Sequence, residues 1–260
     1  MKVLLLGPTG NLGSRLLPAL LSHGHTVIVF VRSESKLRSL IPSSVLSSTT
    51  IVTGDATDAA AITNALVTHK CNALVNAAGL AAIFPWQAPK MQEIIRAVLT
   101  AGVEASKTLR WSIRVWVLGG LGAMDYPDGG EGIKLVKYFP FFPEHELSYA
   151  LLMSQPPENL KWSMCCPGVM APAEKNIVAL ASPRGNKLKA SADVPPEWQP
   201  SMFRGIPFLG PVWNSFANLM RYTIKLEDCA DFIAADLEKA DDKFVGKRVG
   251  LIEVVKGKEE

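Results

Sequence analysis

The chain has 260 residues, 48% of them hydrophobic, which is enough to bury a sizeable core. Its 27 basic and 24 acidic residues leave a net charge of only +3, and the basic residues are scattered along the chain. This balance argues against a nucleic-acid-binding protein, which usually gathers its cations on one surface.

Targeting and membrane signals are weak in this sequence. The first apolar run, Val3–Leu6, is shorter than a secretory signal, whose apolar region spans roughly 7–15 residues. No apolar segment approaches the roughly 20 residues needed to cross a bilayer. We therefore expect a cytoplasmic protein, a monomer or a homodimer, with a small-molecule substrate and without nucleic-acid or membrane partners.

The four cysteines show no spacing typical of a metal site, so we predict no metal. Cys165 and Cys166 are adjacent in a predicted strand, so their side chains should point to opposite faces. We expect Cys71, Cys165, Cys166 and Cys229 to be reduced, buried thiols.

Short apolar runs alternate with segments of helical length and period. The predicted strands are Val3–Leu6, Val27–Val31, Ile51–Thr53, Ala73–Val75, Val115–Leu118, Trp162–Cys165 and Val249–Val254. The predicted helices are Leu12–His23, Ala59–His69, Met91–Ala105, Glu144–Met153 and Glu227–Lys239, and we expect Asp58 to cap the second of them. This alternation predicts an α/β fold of Rossmann type, with a doubly wound parallel sheet.

The glycines of "LLLGPTGNLGSRLL" lie between the first predicted strand and the first predicted helix. A tight strand-to-helix turn needs a residue without Cβ, and a pyrophosphate must approach the backbone closely. The free N–H groups at the start of the helix favour an anion. Gly7, Gly10 and Gly13 therefore predict a dinucleotide-binding loop.

The second strand leads into "VFVRSESK", in which Val31, Arg32 and Ser33 occupy the position where an NAD-preferring site has the Asp or Glu that binds the ribose 2′-hydroxyl. Arg32 stands there instead, and its planar cation suits a 2′-phosphate. Lys36, one helical turn further, adds a second positive charge. These residues favour NADP(H) as the cofactor.

The loop "GPTGNLG" resembles the phosphate-binding loop of the atypical short-chain dehydrogenase/reductase superfamily, especially its NmrA-like, NAD(P)-binding branch. The resemblance implies that the cofactor contacts the first loop and several later strand ends. The residues it implies are Gly7, Thr9, Gly10, Asn11, Leu12, Gly13, Asp55, Ala56, Ala77, Ala78, Gly79, Gly119, Gly120, Pro167 and Val169.

The sequence departs from that superfamily where its catalytic residues are expected. Gly119 and Gly120 stand in place of the usual Ser or Thr, and Met153 follows Tyr149 where the usual Lys would be. Because these two glycines have no side chain, they indicate that nicotinamide or substrate approaches the backbone closely here. The usual Ser-Tyr-Lys set is therefore not encoded.

The segment "EHELSYALLM" offers replacements for the missing catalytic residues. His145 and Tyr149 are four residues apart on a predicted helix and share a face. A histidine can exchange protons near neutral pH. We predict that His145 is catalytic, with Tyr149 as a second candidate; the alternative is a polar, exposed helix face.

Residues 171–225 are rich in Pro and Trp, which disfavours helices and central strands. We expect one NAD(P)-binding domain over residues 1–260, in which residues 171–225 form an irregular substrate lid or a plain surface excursion. The predicted function is that of an NADPH-dependent oxidoreductase acting on a small apolar or aromatic carbonyl- or quinone-like substrate. The alternatives are an NADP(H)-bound isomerase or rearrangement enzyme and a non-catalytic NADP(H)-sensing regulator.

Overall fold

The computed structural model describes residues 1–79, 90–129, 132–138, 142–155, 160–202, 204–207, 209–239 and 241–254. The strands in these residues are β1 (Lys2–Leu6), β2 (Thr26–Val31), β3 (Thr49–Thr53), β4 (Ala73–Asn76), β5 (Arg114–Leu118), β6 (Lys161–Cys166), β7 (Met170–Ala171), β8 (Leu188–Ala192), β9 (Ile224–Lys225) and β10 (Lys247–Glu253). The helices are α1 (Gly13–Ser22), α2 (Glu34–Leu40), α3 (Ser43–Leu46), α4 (Ala59–Thr68), α5 (Met91–Leu109), α6 (Glu144–Met153), α7 (Gly210–Leu219) and α8 (Leu226–Lys239).

Eight of the described strands form one sheet in the order β3-β2-β1-β4-β5-β6-β10-β8. Every neighbouring pair is parallel except the last, in which β8 runs antiparallel to β10. The strand order reverses between β1 and β4, where open α/β sheets bind their ligands. The fold is therefore Rossmann-like and α/β, which confirms the predicted fold class.

Alternate residues of the strands enter two separate apolar layers, one on each face of the sheet. Leu4 and Leu6 of β1 lie in the layer that contains α4 and α5, whereas Leu5 lies in the layer of α1 and α8. Cys165 and Cys166 likewise belong to opposite layers, as predicted. All four cysteines are buried and free of disulfides, which confirms their expected state.

All seven predicted strands and all five predicted helices are present, with boundaries that differ by a few residues at most. The Asp58 side chain accepts a hydrogen bond of 3.0 Å from the backbone N–H of Ala61, so it caps α4 as predicted. Sequence patterns missed α2 and α3, which are short, and the strands and helix within residues 171–225.

The segment 171–225 is more regular than we expected. β8 joins the central sheet as its antiparallel edge strand, and α7 is a ten-residue helix. The prediction of an irregular segment is wrong for these two elements. Pro211 lies in the first turn of α7, where the missing N–H group costs nothing, so a proline-rich sequence still begins a helix there.

A buried ion pair joins the sheet to α8. The Asp236 carboxylate accepts hydrogen bonds from Arg114 Nη2 at 3.0 Å and from the Trp116 indole at 2.9 Å. Burial raises the pKa of Asp236, although the Arg114 charge opposes that change.

An Arg114→Met variant should lose about 3–5 kcal/mol of unfolding free energy, because it leaves the Asp236 charge buried without its partner. Urea unfolding at neutral pH measures this loss. Arg38→Met provides the control, since Arg38 pairs with Glu34 on the exposed face of α2 and should cost less than about 1 kcal/mol. Equal losses in the two variants would contradict the expectation.

Candidate functional site

The turn from β1 into α1 is tightly packed. Gly7 has a φ of +75°, and its carbonyl accepts a hydrogen bond of 3.0 Å from the N–H of Gly10. A Cβ at Gly7 would lie 2.5 Å from the Ala78 nitrogen, and one at Gly13 would lie 2.0 Å from the Gly7 oxygen. A Cβ at Gly10 would come no closer than 3.4 Å to the protein. Gly7 and Gly13 therefore serve the fold, whereas Gly10 leaves room for a ligand.

Two adjoining cavities lie along the carboxyl ends of the strands, one of about 220 Å³ and the other of about 550 Å³. The smaller is at the ends of β2 and β3, and the larger is at the ends of β5 and β6. They share the wall formed by Gly10, Ala77, Ala78 and Gly79. Together they form a cleft across the point at which the strand order reverses, as a dinucleotide requires.

The smaller cavity is cationic. Arg32, Lys36 and Lys90 line it, and all three are exposed. Its one acidic lining residue in the described part of the chain is Asp55, whose carboxylate accepts hydrogen bonds from the backbone and hydroxyl of Thr57 at 2.9 and 2.8 Å. These bonds lower the pKa of Asp55, so it is ionised.

The sequence-predicted residues Thr9, Asp55 and Ala56 line this smaller cavity together with Arg32 and Lys36. Lys90 was missed, because its sequence position, ahead of α5, gives no signal that it faces the end of β2. The start of α2 is ordered by Ser33, whose hydroxyl accepts a hydrogen bond of 3.2 Å from the Lys36 N–H.

The larger cavity is apolar. Sequence analysis placed Asn11, Leu12, Gly119, Gly120, Pro167 and Val169 at the cofactor, and all six line this cavity. Its other lining residues include Met91, Leu118, Leu121, Phe142, Met170 and Leu219. Among the described residues, His145 is the one ionisable side chain in the wall.

Gly119 and Gly120 are packed against protein side chains as well as lining the apolar cavity. A Cβ at Gly119 would lie 2.4 Å from Met164 Cε, and one at Gly120 would lie 2.7 Å from His145 Cδ2. The absence of a Cβ at Gly120 allows the His145 ring to pack against the end of β5. The predicted approach of a ligand to these glycines stays a prediction.

His145 is half-buried in the first turn of α6. Its Nδ1 atom is buried and has no hydrogen-bond partner among the residues that the structure describes. Burial lowers the pKa of His145, against the opposing effect of the adjacent Glu144 charge. The imidazole is therefore neutral at pH 7 and borders an apolar cavity.

Tyr149 does not line either cavity. Its ring packs against the Arg248 guanidinium, whose Cζ lies 4.3 Å from the ring centre, and burial raises the pKa of Tyr149. Asp125 holds Arg248 through a contact of 2.8 Å. His145 and Tyr149 are on the same helix, but the structure does not bring them together at one site.

Folding stability should fall as the pH drops from about 7 to about 5. Burial lowers the pKa of both His145 and His25 from the ordinary value of 6.5, so the unfolded chain binds more protons in this range. The stabilisation by the neutral rings is present above pH 6.5 and is lost as the pH falls towards the lowered values. Urea midpoints across this range measure the trend. The double variant H25Q/H145Q should flatten it, and an unchanged slope would contradict the assignment.

A family model described as NAD(P)H-binding matches residues 7–186. Because this match spans more than half of the sequence, the chain belongs to the NAD(P)H-binding family, and a nicotinamide dinucleotide is its cofactor class. No curated protein has a matching sequence.

Several solved structures share the fold. An oxidoreductase from Lactococcus lactis has 15% sequence identity and a TM-score of 0.60, with 98% of this chain and 91% of that chain covered. A short-chain dehydrogenase/reductase from Veillonella parvula in complex with NADP has 14% identity and a TM-score of 0.60, with 97% and 94% covered. An alcohol dehydrogenase from the archaeon Thermococcus sibiricus, complexed with 5-hydroxy-NADP, has 14% identity and a TM-score of 0.56, with 98% and 97% covered. At these identities the similarity concerns the fold.

Proposed function

We propose that the protein is a cytoplasmic NADPH-dependent oxidoreductase of the atypical, NmrA-like short-chain dehydrogenase/reductase type. The observation that carries this proposal is the cationic cavity at the ends of β2 and β3. Arg32, Lys36 and Lys90 line it next to the position where an NAD-preferring site would hold an acidic residue. The Arg guanidinium and the two ammonium groups suit the two negative charges of a 2′-phosphate.

The apolar cavity supports the proposed substrate class. Its volume of about 550 Å³ lies within the range for small-molecule sites and has to hold the nicotinamide as well as the substrate. Phe142, Met170 and Leu219 provide apolar walls, and we assign contacts with the nicotinamide end to Pro167 and Val169. These features favour a small apolar or aromatic carbonyl- or quinone-like substrate.

His145 is the proposed proton-exchanging residue. When bound, the reduced nicotinamide would supply the hydride to the substrate, and a proton would have to be supplied to the substrate oxygen. The His145 ring lies beside Gly120, and its centre is 6.1 Å from that of the Phe142 ring. The neutral imidazole can donate a hydrogen bond to a substrate oxygen without placing an unpaired charge in an apolar cavity, and the ring supplies the proton from its protonated form.

Removal of Arg32 should change cofactor preference. R32A should weaken NADPH binding about 10- to 100-fold, the loss expected for a hydrogen bond to a charged group, and should leave NADH binding unchanged. Fluorescence titration of both dinucleotides measures the two affinities. R38A is the matched control, because Arg38 lies six residues further along the chain, on α2, and pairs with Glu34 without lining the cavity.

K90A should also weaken NADPH binding, because Lys90 lines the same cavity as Arg32 and would contact the same 2′-phosphate. Unchanged NADPH affinity in both R32A and K90A would remove the support for NADP(H).

One observation favours a second candidate function. The cavity wall has His145 as its ionisable residue and lacks the usual Ser-Tyr-Lys set in the described part of the chain. An NADP(H)-bound isomerase or rearrangement enzyme fits that composition. A panel of quinones and carbonyl compounds separates the two: net NADPH oxidation supports the oxidoreductase, and product formation without net oxidation supports the alternative. Binding without any turnover would favour a sensing regulator.

A further inference from the structure

Helix α7 has its polar side buried and its apolar side exposed, the reverse of an ordinary surface helix. Asn214, Ser215 and Asn218 are buried. The Asn214 amide donates hydrogen bonds to the Tyr126 hydroxyl at 2.9 Å and to the Asp128 carboxylate at 2.6 Å. These bonds fix the rotation of the helix, so the outward orientation of its apolar residues is built into the fold.

Large apolar side chains cover the outer side of α7 and the loop before it. Leu209, Trp213 and Met220 are spaced four and seven residues apart, which places them on one face of the helix. Trp213 is 58% exposed and Met220 is 73% exposed. Met202, at 88% exposed, and Ile206 extend this surface along the preceding loop. We refer to Met202, Ile206, Leu209, Trp213 and Met220 as the α7 surface.

The stretch of sequence that contains the α7 surface carries only positive charges, although the Asp128 carboxylate contacts the inner side of the helix. The sequence from Gln199 to Lys225 contains no Asp or Glu and contains three cations, Arg204, Arg221 and Lys225. Arg204 is exposed beside Met202 and Ile206. An exposed helix with Trp and Leu outward and an exposed Arg beside its apolar surface has the features of a helix that lies in a membrane interface.

We propose that the α7 surface binds an anionic membrane, with the helix lying in the plane of the lipid head groups. The cations complement acidic head groups, whereas two copies of this surface would bring like charges together. In the described residues, no helix is long and apolar enough to cross a bilayer, so contact is at the surface. The sequence-based expectation of no membrane partner was based on the absence of a spanning segment, and it did not address binding at the membrane surface.

Sedimentation with lipid vesicles tests this proposal on the full chain. The protein should sediment with vesicles of phosphatidylcholine mixed with phosphatidylglycerol, bind vesicles of phosphatidylcholine alone at least about tenfold less tightly, and be partly released by salt. The triple variant L209S/W213S/M220S should bind the mixed vesicles at least about tenfold less tightly. The matched control is L147S/M153S, which alters two residues of α6 that are each 57% exposed.

R204E provides a second variant that keeps every apolar residue of the α7 surface and reverses one charge at its edge. It should weaken binding to the mixed vesicles about tenfold or more and leave circular dichroism and NADPH affinity unchanged. The vesicle assay contains no cofactor, so its outcome is independent of the proposed function.

Two results would overturn the proposal. The first is failure of the unmodified chain to sediment with the mixed vesicles. The second is a dimer in solution that L209S/W213S/M220S dissociates while vesicle binding is absent, which would assign the α7 surface to a second copy of this chain.

Discussion

H145Q is expected to lower the turnover of NADPH by about 10²- to 10⁴-fold, the usual contribution of general acid–base catalysis. Glutamine can donate a hydrogen bond but cannot exchange a proton near neutral pH, so a loss of this size would identify proton transfer as the role of His145. NADPH affinity should stay within about twofold, because His145 borders the substrate end of the cleft and is absent from the cationic cavity. Steady-state rates and fluorescence titration on the same preparations separate the two effects.

The comparison variant for this experiment is Y149F. Tyr149 lies on the same helix but packs against Arg248 and does not line the cavity. The turnover of Y149F should therefore remain within about threefold of that of the unmodified protein. Full activity in H145Q would remove His145 from the mechanism. If turnover is lost in Y149F alone, Tyr149 is the better candidate for the catalytic residue, although it lies outside the cavity.

G10A and G13A are expected to fail in different ways. A Cβ at Gly13 would lie 2.0 Å from the Gly7 oxygen, a backbone atom that cannot move away without opening the turn. We expect G13A to lose about 3 kcal/mol of unfolding free energy, the upper range for overpacking. A Cβ at Gly10 comes no closer than 3.4 Å to the protein, so G10A should unfold at nearly the same urea concentration as the unmodified chain.

G10A should nevertheless bind NADPH about 100-fold more weakly, because the added methyl group occupies the cleft between the two cavities. Equilibrium unfolding and dinucleotide titration on both variants give the full comparison. Tight cofactor binding by G10A would show that the dinucleotide does not pass over this turn, and the position of the cofactor would have to be reassigned.

The central sheet was predictable because its strands are apolar on both faces, a pattern that few other structures produce. β8 was missed because "LKASA" is half-polar and lies at the edge of the sheet, where one side of the strand needs no apolar partner. α7 was missed because its polar residues point inward to Tyr126 and Asp128. Hydrophobic periodicity assumes the opposite arrangement.

The tight turn after β1 and the cation at the end of β2 are local features, so their positions in the chain were enough to predict them. Contacts between distant segments were not accessible in this way. Met164 and His145 occupy the space beside Gly119 and Gly120, although the glycines alone indicated a ligand. Lys90 reaches the cationic cavity from the start of α5, and its sequence context gives no sign of this.

The reversed orientation of α7 also affects how the apolar cavity can open. Most of a folded domain resists local unfolding through buried apolar area, but the inward side of α7 consists of Asn214, Ser215 and Asn218, which are held by hydrogen bonds. Detaching this helix would break these hydrogen bonds, while its most exposed apolar side chains already face water. Leu219, at the end of α7, is part of the cavity wall. Local movement of α7 would therefore shift one wall of the apolar cavity through the breaking of hydrogen bonds, while the central sheet and the turn after β1 stay intact.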